Sequence, residues 1–461
     1  MKALADPTGA LSRGLAAIRT QFKVPESFPP DVLAAAEVAA KRAPSDHVDR
    51  TDRPFVTLDP ATSTDLDQAF VIDRAGSDLL LHYAIADVAW FVEDGDPIDV
   101  EAWRRGATLY LPDGKAGLYP PVLSEGAASL LPDGPRPAVV FTVRVAPDGT
   151  VGLDGVERAI IRSRAKLAYD KVAEADLPPG FAELAGRIQA AERQRGAARV
   201  DPPEQEVASD GNGGFRLAFR PRLLSEDRNA ALSLATNLAV ANALQAHRTG
   251  LFRTMEAPDE RAIGRLRQTA RAFGLDWPAG TSLDAFEAGL DPADPKQAAF
   301  MLAIRRASPG ALYVPFRDGV TPWHAAMAAT YAHATAPLRR LADRYVVQAT
   351  LAIANGNPVP AATGEAFAKL PAVMARADAI AGQVERSVID LAEAVMLSGR
   401  ENEILPAVVT DIDGRGARIQ LADLPVVARV DAHRVAPGDA LRVRLTAIDA
   451  DRRTVTFQRI S

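Results

Sequence analysis

Asp59, Asp65 and Asp67 are the residues in this sequence whose type and spacing first suggest chemistry. They sit at the two ends of a Pro/Thr/Ser turn, between the apolar, β-branched runs Phe55 to Leu58 and Ala69 to Ile72. That pattern reads as strand, loop, strand. Side chains alternate along a strand, so Asp65 and Asp67 are expected on one face, and the chain reversal brings Asp59 back beside them. Like charges this close repel and raise one another's pKa, so such a cluster asks for a neutralising cation. Oxygen ligands with no His or Cys among them suit Mg²⁺, with Mn²⁺ as the alternative. The spacing lacks the Asp-x-Asp-x-Asp-Gly order of an EF-hand loop. Acidic turns are also common as solvated surface, and the company these residues keep decides between the two readings.

The elements that must position them are mostly β at first. Leu79 to Ala86, Val88 to Val92, Ala138 to Val145 and Val151 to Ile161 read as strands, the last two joined by a Pro147-Asp148-Gly149 turn. Helical spacing then dominates as far as Gly399, including an Ala-rich run from Ala230 to Ala246 that Thr236, Asn237 and Asn242 mark as a buried core helix. Another helix is expected from Ala336 to Asn355. Strands followed by helices indicate an α+β fold with a mixed sheet. Ahead of them, Ala10 to Phe22 and Pro30 to Lys41 read as two short helices, a packing arm in preference to a helix-turn-helix unit. After Asn402 five short strands return, Ile404 to Asp411, Ala417 to Leu421, Val426 to Val430, Ala440 to Asp449 and Thr454 to Arg459, as in a small OB barrel. The expected division is a helical segment over 1–50, a catalytic domain over 51–400 and an OB-fold over 401–461.

Composition narrows the class. The 461 residues are 48% hydrophobic and 24% charged, as in an ordinary globular protein, and suffice for about three domains. With no cysteine, disulfides, thiolate metal sites and cysteine nucleophiles are excluded. Neither a signal peptide nor an apolar run of the ~18 residues a membrane span needs is visible, so the expectation is a soluble cytoplasmic protein. A net charge of −6 argues against indiscriminate adhesion to nucleic acid but allows a local basic channel.

With the acidic loop, the strand His82-Tyr-Ala-Ile-Ala-Asp87-Val, the segment Tyr110-Leu-Pro and Thr335-Ala-Pro337-Leu-Arg339-Arg340-Leu-Ala-Asp343 in view, the chain resembles the ribonuclease II and ribonuclease R family, the RNB exoribonucleases, from about Pro25 to Gly399. The resemblance implies that Asp59, Asp65 and Asp67 hold divalent ions or orient water, and that Arg339 stabilises the transition state. Where the family usually has a further carboxylate this chain has Gln68, whose amide oxygen can ligate a cation without adding charge. Ala336 and Leu341 also replace a family Ser and Tyr. Arg339 is expected to open the helix after Pro337, facing a phosphate together with the helix N-terminus, with Asp343 holding it by an i,i+4 pair. By the same resemblance Tyr110 packs on the last nucleotide, Phe286 is a second aromatic clamp, Tyr313 lines the pocket, Glu385 reads the terminal ribose, and Arg340 joins the RNA contacts.

The C-terminal strands resemble the RNA-binding OB domain that ends ribonuclease II, where Arg415, Arg418, Arg429, Arg434, Arg442 and Arg444 could track phosphates. The fifty residues ahead of the acidic loop are too few for the family's paired cold-shock barrels, so substrate capture is expected to be simpler. The implied activity is hydrolytic, processive 3′-to-5′ degradation of single-stranded RNA to nucleoside 5′-monophosphates, by a monomer with no organic cofactor. Two alternatives differ in class: a degenerate relative that binds RNA without cutting it, motivated by Gln68, and a nuclease for single-stranded DNA.

Overall fold

A computed structural model describes residues 2–4, 9–197, 204–209, 215–220, 222–291, 294–413 and 416–460. Its centre is a seven-stranded sheet in the spatial order Ser163–Ala168, Phe55–Asp59, Gln68–Ala75, Asp78–Ala86, Arg136–Val145, Val151–Ile161 and Val48–Asp49. The pairs at the two edges are parallel and those between are antiparallel, so the sheet is mixed. Phe55 to Leu58 are buried without alternation, which marks a strand covered on both faces. The helices Phe181–Arg195, Leu224–Ala246 and Leu341–Ala354 pack against it. Apolar residues encircle Leu224–Ala246, and its middle is buried all round, Thr236 and Asn237 included.

The 37-residue helix Ala361–Leu397 ties the molecule together. Its first half, with Ala366, Phe367, Leu370 and Met374, belongs to the main core. Val384, Val388 and Leu391 then pack on Leu11, Leu15 and Ile18 of the N-terminal helix Ala10–Gln21, and Leu397 enters the core of the barrel. The helices Ala10–Gln21 and Pro30–Ala39 each bury one face in these clusters. The barrel closes in the order Ile404–Asp413, Gly416–Leu421, Val427–Asp431, Thr454–Arg459, Ala440–Asp449, as its alternating residues indicate. Between sheet and barrel, Glu260–Ala272, Leu283–Glu287 and Pro295–Ala307 form a small helical insert with its own core. Among the described residues no helix is long and apolar enough to cross a membrane.

Three expectations are corrected. Val88–Phe91 is a helical turn that buries Val88 and Phe91, three apart, because so short an apolar run satisfies either period. The helix expected from Ala336 starts at Leu341, with Pro337 to Arg339 in a turn before it. Strands absent from the sequence reading include Lys2–Leu4, which pairs with Phe215–Arg220, itself paired with Glu204–Ser209, and a hairpin of Leu109–Leu111 with Gly114–Ala116.

Candidate active site

Asp59 ends a buried strand, and the loop after it is pinned through its backbone. Lys166 donates to the carbonyls of Ala61 and Ser63. Leu66 is a fully buried plug whose N–H donates to Ser129 Oγ at 2.9 Å, while that hydroxyl donates to Thr64 O at 2.7 Å. The Ala86 N–H donates to Asp67 O at 2.9 Å. Because the strand begins only at Gln68, Asp65 and Asp67 are loop residues, and strand alternation does not set their directions. Asp67 turns inward, 4% exposed, and Asp65 turns toward the Leu109–Ala116 hairpin.

The arginine loop docks on this one. The Leu338 N–H donates to Asp67 Oδ1 at 2.7 Å, and Gln68 Nε2 donates to Thr335 O at 2.7 Å. From the buried helix, Asn237 Oδ1 accepts the Ala334 N–H and Ser233 meets the Thr335 hydroxyl. Gly106 fixes the other side with φ 72°, where an added Cβ would stand 3.0 Å from Ala377, and its carbonyl accepts the Leu341 N–H. Asp343 pairs with Arg340, at 2.9 and 2.6 Å, and accepts the Ala336 N–H; it does not hold Arg339 as expected. The late helix start turns the i,i+4 relation into an i,i+3 one. Arg340 is thereby engaged in holding the loop, with 26% of its side chain exposed. Arg339 is left with 46% of its side chain exposed and Nε 3.5 Å from Asp67 Oδ2.

Burial pushes the Asp59 carboxyl up to about 6, against the pull of Arg339, and pushes Asp67 up to about 7, against Arg339 and the Leu338 N–H. Arg339 itself is disfavoured by burial, but Asp67, Tyr110 and Asp59 outweigh that and raise its pKa. A half-buried and a buried carboxylate, Asp59 and Asp67, both raised by desolvation, offer hard oxygen donors of the kind a divalent cation takes. Yet among the described residues no group of three or more His, Cys, Asp or Glu is gathered tightly enough to hold a metal. The expected four-ligand set is loosened for a visible reason. Asp65 Oδ1 lies 2.7 Å from Lys115 Nζ, and Oδ2 accepts the Tyr110 hydroxyl at 3.1 Å. Gln68 Oε1 accepts the Tyr83 hydroxyl, so its amide oxygen is already engaged.

These shifts carry a stability prediction. Between about pH 4 and 7 folded Asp67 keeps a proton that the unfolded chain has released, so in EDTA stability falls as pH rises through that window. At ~1.4 kcal/mol per pKa unit the effect is at most a few kcal/mol. Melting temperatures of wild type and Asp67→Asn in EDTA are expected to diverge from pH 5 to pH 8, the variant losing less; parallel curves would refute the shift.

The expected RNA-facing residues separate into two groups. Tyr110 is 54% exposed with its ring free beyond the Asp65 contact, and Glu385 is exposed on the long helix beside Val384, which shares a cluster with Leu111 of the hairpin. The partly buried Phe286 ring stacks on Trp277, centroids 5.1 Å apart, and meets Phe300 edge-on in the helical insert. Tyr313 is buried, its hydroxyl 2.8 Å from His333 Nδ1 and Arg253 over its ring. Arg418 and Arg429 face each other across neighbouring barrel strands, and Arg415 lies outside the described residues. Lys115, Glu125 and Lys166 were missed; the Asp113-Gly114 pair, a strong hairpin signal, would have found the strand that carries Lys115.

A family model for the RNB domain matches residues 47–355, more than half of the chain. The chain belongs to the RNB family. A model for the RNase II-type exonuclease C-terminal S1 domain matches residues 403–460 of this RNB protein, the closed barrel. Ribonuclease R of Escherichia coli is 26% identical over 95% of the chain, and the chain spans 60% of that protein's length. Ribonuclease R of Aquifex aeolicus is likewise 26% identical over 95% of the chain and 69% of its own length. Among solved structures, Mycoplasma genitalium RNase R in complex with ribose methylated single-stranded RNA superposes with a TM-score of 0.86 at 19% identity, covering 100% of this chain and 79% of that one. Yeast Ssd1, a pseudonuclease, superposes with a TM-score of 0.69 at 18% identity, covering 96% of this chain and 57% of that one. Structural likeness at these identities establishes the RNB fold and leaves the chemistry to the residues.

Proposed function

We propose that the chain is a hydrolytic 3′-to-5′ exoribonuclease that degrades single-stranded RNA processively to nucleoside 5′-monophosphates, a monomer of the cytoplasm that uses Mg²⁺, or Mn²⁺ in its place, and no organic cofactor. The observation that carries this reading is the half-buried Asp59 and the buried Asp67 set against the open guanidinium of Arg339. A divalent cation held by Asp59 and Asp67 would neutralise charge on the scissile phosphate and assist deprotonation of water. Asp67, locked by the Leu338 N–H, orients that water with its remaining oxygen. Arg339, at the tip of a loop braced by Asp343 and Gly106, donates to the phosphoryl oxygens as their charge grows. Tyr110 offers a ring to the terminal base, and Glu385 accepts from its ribose hydroxyl. Residues 1–50 then act as the arm, 51–400 as the catalytic body and 401–461 as the barrel that holds the incoming strand.

The deciding experiment is incubation of the purified chain with an RNA labelled at its 5′ end, in Mg²⁺ or in EDTA. A ladder shortening from the 3′ end in Mg²⁺ alone is expected. RNA left intact but retarded in a binding gel would favour the second reading, binding without cleavage, which the engaged amide of Gln68 supports. Equal cutting of a matching DNA would remove ribose readout by Glu385.

Tyr110→Ala is expected to lengthen the shortest end product by one or more nucleotides, since stacking on an aromatic contributes ~1–3 kcal/mol per base. Product ladders on a sequencing gel check this; an unchanged limit product would take Tyr110 out of the terminal contact.

A further inference from the structure

We propose that Arg19 of the N-terminal helix is a positioning residue for Tyr110, and that this helix thereby sets the length of the last RNA fragment the chain leaves. This rests on the reading of Tyr110 as the terminal base contact. Tyr110 is the middle residue of the strand Leu109–Leu111, which pairs only three residues deep with Gly114–Ala116. So short a two-stranded ribbon does not hold its own position, and whatever backs it decides where the ring stands.

Alternation along the strand sends Tyr110 to one face and Leu109 and Leu111 to the other. On the first face the ring is 54% exposed and its hydroxyl donates to Asp65 Oδ2 at 3.1 Å. On the second, Leu109 and Leu111 enter a cluster with Leu11, Leu15 and Ile18 of the helix Ala10–Gln21. The backing of the ring is therefore the N-terminal helix.

The same helix holds the tip of the ribbon. Arg19 makes a two-pronged pair with Asp113, Nη2 to Oδ1 at 2.8 Å and Nε to Oδ2 at 3.2 Å. The helix is itself fixed at two points. Gly14 lies so close to the long helix Ala361–Leu397 that an added Cβ would stand 2.5 Å from Leu391 Cδ1, and Gln21 Oε1 accepts from Arg453 in the turn between the last two strands of the barrel. At its base the ribbon is joined to the arginine loop, where the Thr108 N–H donates to Arg339 O and Ala107 bridges to Arg340. Lys115, opposite Tyr110, ties the ribbon to Asp65 and Glu125. With the base fixed on the loop that carries Arg339, the hold of Arg19 on the tip sets the separation between ring and guanidinium, and with it the number of nucleotides that reach from one to the other.

Limit products of a 5′-labelled RNA on a sequencing gel test the assignment. Arg19→Ala is expected to spread the limit product over two or more lengths, while the initial rate on a long RNA stays within twofold of wild type. A partly exposed ion pair adds little to global stability, so the melting temperature should hold. The exchanged pair Arg19→Asp with Asp113→Arg is expected to return the wild-type length, a rescue that a merely structural loss would not show. Hydrogen exchange of the peptide spanning 109–116 should quicken in Arg19→Ala and slow again in the exchanged pair. An unchanged ladder in Arg19→Ala, or an altered one that the exchanged pair fails to restore, would overturn the inference. If Tyr110→Ala shifted the ladder and Arg19→Ala did not, the reading of Tyr110 would survive without it; if neither did, both would fall.

Discussion

Asp67→Asn is expected to lower the single-turnover rate of RNA cleavage by roughly 10³-fold while leaving RNA affinity within about twofold. Asparagine keeps an oxygen where Asp67 Oδ1 accepts the Leu338 N–H, so the contact between the two loops is retained. What it removes is the charge that faces Arg339 and any cation beside Asp59. If RNA is held as proposed, by the ring of Tyr110, by Glu385 and by the barrel, binding and turnover should separate. Rapid-quench kinetics with excess enzyme, together with a filter-binding isotherm, measure the two quantities. Near-normal turnover would show that the chemistry lies elsewhere.

Arg339→Ala is expected to cost roughly 10²–10³-fold in the same rate, the usual loss when a donor to a developing oxyanion is removed. The side chain makes no hydrogen bond that the fold requires, because Asp343 and Gly106 hold the loop through Arg340 and the backbone. Arg340→Ala should behave differently. It leaves the buried Asp343 unpaired and should lower the melting temperature, a loss of several kcal/mol being typical when one partner of a buried pair is deleted. Arg339→Lys keeps the charge but not the planar fork and should recover only part of the rate. A rate for Arg339→Ala within threefold of wild type would remove this residue from the transition state.

Much of this centre is legible in the chain because it depends on local pattern. The strand-loop-strand around Asp59, the buried Ala-rich helix and the five barrel strands all announce themselves by periodicity and turn residues. What is hidden is tertiary. Phe286 and Tyr313 look like free aromatics until Trp277, Phe300 and His333 close on them. Asp343 looks like the partner of Arg339 only if the helix begins after Pro337, and its start at Leu341 transfers the carboxylate to Arg340. The hairpin strands have three residues each, too few for alternation to register, so only the Asp113-Gly114 turn pointed to the strand of Lys115 and nothing pointed to its hold on Asp65.

The bond from the Leu338 N–H to Asp67 joins residues 271 positions apart. So long-range a contact is non-local, and its closure costs entropy that nearby contacts do not. A nascent chain emerging from the ribosome thus carries its aspartates for most of its synthesis without the guanidinium that completes them. Asp67 therefore cannot make its Leu338 contact until the segment that carries Arg339 has been synthesised.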